Sequence, residues 1–277
     1  MKEIYNDVLE FVTPAFLAGA NQNAPEVRPS SIRGELRWFF RALGGTLQEE
    51  QEVFGGVQGD AKSSSVLVRV CEISKKVGEE IRFSPESDKG YLYYFAKVSG
   101  NRDNVHRTLR EHYLAPGTTF RLIVFLRKEL ENSLVQKLLL ALRMFVVFGS
   151  LGLRSTRGCG AIASNSNNVT KEEIKALGEE CRDKFLIRLI GDEIYSSGEK
   201  CQEVLGGFLK AFRKDHHISG RSNSALGHSS GRERMSSALR LRPVKTKRGY
   251  LPIVIYTDVA CNQTSLWDLV RAETKEI

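Results

Sequence analysis

Three groups of residues in this sequence have the types and spacing to hold a polyanion. Arg33, Arg37 and Arg41 recur at every fourth position of SIRGELRWFFRALG. On a helix that spacing places all three on one face, successive residues about 6 Å apart along the axis, a separation of the same order as neighbouring phosphates of an extended strand. Glu35 is the sole acid in that stretch. The competing reading is a solvated face, because any amphipathic helix needs polar residues outside. The second group is GSLGLRSTRGCG, residues 149–160, in which glycines surround Arg154, Ser155, Thr156 and Arg157. Glycines let the backbone approach a ligand closely and adopt positive φ. No acid occurs between Arg143 and Thr170 to neutralise these arginines. The loop is not a dinucleotide fingerprint, since a helix precedes it, nor a Walker loop, since G-K-[ST] is absent. A tight turn with exposed arginines is the alternative. The third group is residues 213–248, where ten Lys/Arg, Arg232, Arg234 and Arg240 among them, face Asp215 and Glu233 alone. That window carries an excess of +8, equal to the net charge of the chain. Concentrated charge of one sign is the footprint of a polyanion partner, although a solvated charge run gives the same composition.

Groups that could cut a polyanion are harder to place. His106, His112, His216, His217 and His228 lie in polar or basic stretches, and none belongs to a motif that fixes its geometry. An imidazole could deprotonate a 2′-hydroxyl near neutral pH, so a histidine-dependent RNA endonuclease is the alternative reading. Asp7 and Glu10 would face opposite sides of an extended strand. Glu49, Glu50 and Glu52 read as a solvated polar turn. The five cysteines are widely spaced without a C-x-x-C pair, so neither a zinc site nor a disulfide framework is encoded. No catalytic residue, metal or cofactor is assigned. Trp38, Phe39 and Tyr93 could stack on bases, with core packing the plainer role.

The elements that must position these groups follow from periodicity. Residues 3–13 alternate as a strand, and residues 14–29 read as a loop rich in Gly, Asn and Pro. Ser30 and Ser31 can cap the arginine helix after Pro29, and Ile32, Leu36, Phe39, Phe40 and Leu43 form its apolar face. Residues 66–73, 91–98 and 119–127 have strand composition, with polar connections between them. Residues 133–148 form an apolar helix leading into the glycine-rich loop. The first domain, 1–163, thus reads as α+β of ferredoxin-like type. Residues 164–172 read as a linker to a second domain, 173–277. There FLIRLI suggests a strand, 199–215 a helix, and ALRLRPV with YLPIVIYTDV a hairpin about the basic turn KTKRG, before a final amphipathic helix near Gln263. Length allows one large or two modest domains, and 41% hydrophobic with 27% charged residues is ordinary for a globular protein. No stretch reaches the roughly 18–20 apolar residues of a membrane span, and the N-terminus lacks a signal-peptide core, so a cytoplasmic protein without a membrane partner is expected.

Three segments carry a family resemblance: TPAFLAGANQN, RPSSIRGELRWFFRALGG and FGSLGLRSTRGCGAI. Together they resemble the RAMP superfamily of CRISPR effector proteins, and within it most closely the first subunit of the type III-B Cmr complex. The match is specific mainly over residues 12–56 and 148–162, with RERMSSALRLR a weaker signal. The resemblance implies tandem ferredoxin-like (RRM-like) RAMP domains, the second abbreviated or diverged, since no second glycine-rich loop is evident. It further implies a non-catalytic subunit that holds the 3′ region of a guide crRNA, sits beside neighbouring RAMP subunits and helps admit target RNA. Carried over by position, its RNA contacts fall on Arg28, Ser30, Ser31, Arg33, Arg37 and Arg41, then on Arg154, Ser155, Thr156 and Arg157. A basic RNA-associated protein outside CRISPR systems is the remaining reading.

Overall fold

A computed structural model of the chain describes residues 1–21, 23–57, 60–83, 87–93, 98–99, 107–218, 226–230, 233–257 and 265–277. The first half runs β1 (Lys2–Phe11), α1 (Pro29–Ala42), α2 (Leu47–Phe54), β2 (Val66–Ser74), β3 (Val77–Phe83), α3 (Asp88–Leu92), β4 (Val98–Ser99), β5 (Arg107–Leu114), β6 (Thr119–Leu126), α4 (Asn132–Phe148) and β7 (Ile162–Ser164). Its main sheet has the order β2-β6-β1-β7 with every pair antiparallel. Strands β1, β2, β6 and β7 with helices α1 and α4 therefore form the βαββαβ ferredoxin-like unit; α2 and the β3–β5 region are insertions. Alternation in β6 turns Phe120, Leu122 and Val124 inward beside Leu9 and Phe11 of β1. Ile32, Leu36, Phe39 and Phe40 of α1 and Leu138, Leu142 and Phe145 of α4 cover that face. Each such side chain contributes about 1.5–3 kcal/mol on burial.

Three elements differ from the sequence expectation. Residues 47–54, expected as a turn, are a helix because Thr46 and Glu49 close a capping box at its start. The connections around 77–83 and 107–114, expected as polar linkers, are β3 and β5 of a small antiparallel sheet of order β3-β5-β4. Only Ile81 and Phe83 of β3 are buried there, against Phe16 and Tyr93, too sparse an apolar pattern to read as a strand. Conversely, YLYYFAKV was expected to be a strand, yet Asp88–Leu92 is helical; the Ser87 hydroxyl accepts from Gly90 N–H and ends the strand option locally.

The second half runs α5 (Lys171–Glu180), β8 (Leu186–Leu189), α6 (Gly198–Asp215), β9 (His228–Ser230), β10 (Glu233–Met235), β11 (Leu239–Thr246), β12 (Gly249–Tyr256) and α7 (Ser265–Ala272). Helix α5 was missed in the sequence, although Thr170 and Glu173 form a second capping box. The sheet order is β11-β12-β8. Lys275 exchanges two backbone hydrogen bonds with Leu189, each 2.9 Å, on the free side of β8. A single bridge residue thus stands where the fourth strand of a ferredoxin-like sheet would run, the abbreviation expected of this half. Strand β12 is apolar on both faces: Leu251, Ile253 and Ile255 join the core of the first half, while Val254 and Tyr256 pack with Leu205, Leu209 and Phe212 of α6. A sheet covered on both sides reads as a continuous hydrophobic run, as LPIVIY does.

Candidate nucleic-acid interface

Helix α1 presents the expected arginine stripe, but its three members differ. Pro29 opens the helix and Arg28 is its N-cap residue, without a side-chain cap. Ser30 and Ser31 therefore lie inside the first turn, not at the cap as expected. Arg28, Ser30 and Arg33 are exposed and Ser31 half-buried. Arg37 Nε donates to Glu50 Oε1 at 2.7 Å and Nη2 to the Gly55 carbonyl at 2.6 Å. Arg41 Nη1 reaches Glu50 Oε2 at 3.2 Å while its side chain stays 47% exposed. Glu50, whose side chain is 5% exposed, is thus not a solvated turn residue but the buried acid that aligns two arginines. A groove of about 600 Å³ opens between α1, α2 and the following loop. Arg33, Arg37, Arg41 and Lys62 supply its charge, and Leu47, Phe54 and Val57 its apolar wall. Lys62 was not singled out in the sequence; the Thr46–Glu49 capping signature would have placed α2 and the loop beside α1.

The glycine-rich loop is more deeply embedded than its sequence suggests. Gly152, Gly158 and Gly160 have positive φ, as does Arg154 (φ 61°). A Cβ on Gly160 would lie 1.9 Å from the Leu151 carbonyl oxygen, so the close approach there requires glycine. Thr13 Oγ1 and Gln202 Nε2 both donate to the Gly158 carbonyl, at 2.8 and 2.7 Å. Leu241 N–H donates to the Thr156 carbonyl at 3.1 Å, joining the loop to β11. Arg242 donates to the carbonyls of Ser155, Leu241 and Phe148, the last at the negative end of α4. The loop's carbonyls are spent on the second half, whereas the N–H groups of Ser155 and Thr156 have no partner among the described residues. Arg154 Nε donates to the Leu92 carbonyl at 2.8 Å.

Burial corrects two expected phosphate contacts. Arg157 is 7% exposed and its Nη2 donates to the Leu226 carbonyl at 2.6 Å. Burial, then the neighbouring Arg213 and Arg154 cations, pulls its pKa down to about 9. Arg240 is 5% exposed: Nη1 pairs with Glu35 Oε2 at 3.0 Å and its guanidinium lies 3.3 Å from the centre of the Trp38 ring. It is a strut between the halves, not a surface cation. Arg242 is buried likewise and held down to about 9 by burial and by Arg240. The alternation of LRLRPV suggested one solvated face, but both faces of β11 are covered. Trp38 is half-buried under Arg240, and Phe39 and Tyr93 are core residues. Arg232 lies outside the described residues; Arg234 sits in β10, and its side chain is outside them too. The structure joins stripe and loop through α1: Glu35 on one flank meets β11, while the stripe on another flank lines the groove.

Among the remaining candidates, His216 Nε2 lies 3.4 Å from Glu273 and packs on Phe212, and His112 is exposed. His106 is outside the described residues, as is the side chain of His228. Asp7 accepts from Ser164 and Ser166, and Glu10 pairs with Lys245. Cys159, Cys181 and Cys201 are buried free thiols, and burial raises Cys159 to about 12. Among the described residues, no cluster of ligand-type side chains could hold a metal ion, and no helix is long and apolar enough to cross a membrane.

The RAMP superfamily profile matches residues 8–163, from β1 through the glycine-rich loop to β7. The chain belongs to the RAMP superfamily. Its relatives include the CRISPR system Cmr subunit Cmr1-1 of Pyrococcus furiosus, 31% identical over 144 residues, which are 50% of this chain and 40% of that protein. The subunit Cmr1-2 of the same organism is 30% identical over 176 residues, 56% of this chain and 91% of that one. Among solved folds, Cmr1 of Pyrococcus furiosus in its apo form superposes with a TM-score of 0.60 at 20% identity, covering 91% of this chain and 87% of that chain. A chain of the type III-B Cmr-beta complex bound to cognate target RNA gives 0.52 at 14% identity, covering 93% and 94%. These two likenesses are of fold. They extend the RAMP architecture into the second half, beyond the profile's reach.

Proposed function

We propose that this chain is a non-catalytic RNA-binding subunit of a type III-B CRISPR ribonucleoprotein. In this reading it holds the 3′ region of the guide RNA beside a neighbouring RAMP subunit and helps admit target RNA, in cytoplasmic antiviral defence. The observation that carries it is the α1 groove, where three arginines and a lysine face a single buried acid in a RAMP-superfamily chain with Cmr1 relatives. Arg28, Ser30, Ser31, Arg33 and Arg41 offer an exposed helix start and cations to phosphates, with Arg37 shared between Glu50 and the groove. Arg154 and the amides of Ser155 and Thr156 supply the loop contacts. The proposed division is an N-terminal RNA-contacting domain, 1–163, and a C-terminal one, 173–277, joined through β11.

Binding of a short single-stranded RNA, followed by fluorescence anisotropy across a salt series, tests the reading. Affinity should fall with a log–log slope of roughly −0.7 per phosphate neutralised. Arg33→Ala with Arg41→Ala should lower affinity and make the slope shallower by about one to one and a half, with thermal stability unchanged. Unchanged affinity in that variant overturns the assignment of the groove. Incubation of labelled guide RNA with and without EDTA tests the non-catalytic role, and cleavage lost on His112→Ala would reverse it.

A further inference from the structure

Where the glycine-rich loop meets α6, three cations come together without an acid. Arg154 and Arg157 belong to the loop and Arg213 to the last turn of α6. Each has a neutral partner: Arg154 Nε the Leu92 carbonyl at 2.8 Å, Arg157 Nη2 the Leu226 carbonyl at 2.6 Å, and Arg213 Nη1 the Tyr91 hydroxyl at 3.2 Å. Tyr91 and Leu92 are consecutive residues at the end of α3, so the partners converge as the cations do. Two guanidinium nitrogens, Arg157 Nη1 and Arg213 Nε, are buried with no hydrogen-bond partner among the described residues. Of the charges acting on Arg157, Arg213 and Arg154 oppose its cation and Tyr91 alone supports it.

Such an arrangement is unfavourable as it stands. Buried donors almost always find an acceptor, and buried like charges need a counter-charge. We propose that Arg154, Arg157 and Arg213, with Tyr91, form a phosphate site in which the two unpartnered guanidinium nitrogens donate to oxygens of one tetrahedral anion. A phosphate fits better than a carboxylate because cations approaching from the loop and from α6 require oxygens pointing in several directions and more than one negative charge. The phosphate can be part of an RNA backbone or free in solution. The first source rests on the proposed function; the site itself does not, because it lies on residues separate from the α1 groove.

Thermal unfolding of the full chain in increasing inorganic phosphate, against chloride at matched ionic strength, tests the site. The wild type and the Arg33→Ala/Arg41→Ala variant should both show a saturable rise in Tm with phosphate. Arg213→Gln, which also relieves repulsion within the cluster, should lose it. Should Arg213→Gln fail to fold, Arg213→Lys should weaken half-saturation about tenfold, since a point charge cannot reproduce the guanidinium fork. Equal Tm in phosphate and chloride, or an unaltered response in the Arg213 variants, overturns the proposal. Competition between phosphate and single-stranded RNA assigns the site to an RNA phosphate, and additive binding assigns it to the free anion. A phosphate response without any RNA binding leaves this site standing and removes the proposed function instead.

Discussion

Arg33, Arg37 and Arg41 share one helix face yet differ in what they offer a ligand, because Glu50 claims most of Arg37 and part of Arg41. Glu50→Gln should therefore do two opposite things. It should cost about 1–3 kcal/mol of stability, through lost charge-assisted hydrogen bonds in a buried position, and steepen the salt dependence of RNA binding as both arginines turn to phosphate. Denaturant midpoints and anisotropy on the same variant separate the two effects. Arg240 behaves differently, being committed to Glu35 and Trp38 in a buried position. A double-mutant cycle of Glu35→Ala and Arg240→Ala should give a coupling of about 1–3 kcal/mol. Additive losses would mean that the pair is incidental to the junction.

At the scale of elements, two kinds of local signal decide how the site is held. Capping boxes start α2 and α5, and Thr46→Ala should destabilise by about 1 kcal/mol while loosening the wall of the groove that carries Glu50. The glycine-rich loop depends instead on backbone approach. Gly160 has φ 62°, and a Cβ there would meet the Leu151 carbonyl oxygen at 1.9 Å. Gly160→Ala should therefore cost more than a cap, about 2–4 kcal/mol, read as a lowered midpoint in denaturant. Gly191, also at positive φ but with open space around it, is the control and should lose less.

For the whole molecule, one core draws residues from both halves: Val244, Leu251, Ile253 and Ile255 of the second sheet pack with α4 and the first. Chemical unfolding should then be one cooperative transition. Trp38 lies at the junction and Trp267 on α7, so their fluorescence, read singly after Trp38→Phe or Trp267→Phe, should give the same midpoint. Two separated midpoints would show that the halves fold independently.

The sequence by itself determined the α1 stripe, the apolar faces of α1 and α4, the glycine-rich loop and the β11–β12 hairpin. These are written in local periodicity and in glycine spacing, which are properties of neighbouring residues. It also carried the RAMP resemblance, through motifs that sit on those same elements. It left β3 and β5 hidden, because a small sheet with Ile81 and Phe83 as its buried anchors has little apolar alternation to read. The fates of the arginines were decided only by tertiary structure. Nothing near Arg37 in sequence announces Glu50, and the alternation of LRLRPV suits a solvated face until packing on both sides of β11 buries Arg240 and Arg242. Whether a cation faces water, a carboxylate or a carbonyl depends on residues far along the chain, and for Arg157 and Arg240 that settled a structural place where sequence had suggested a surface one.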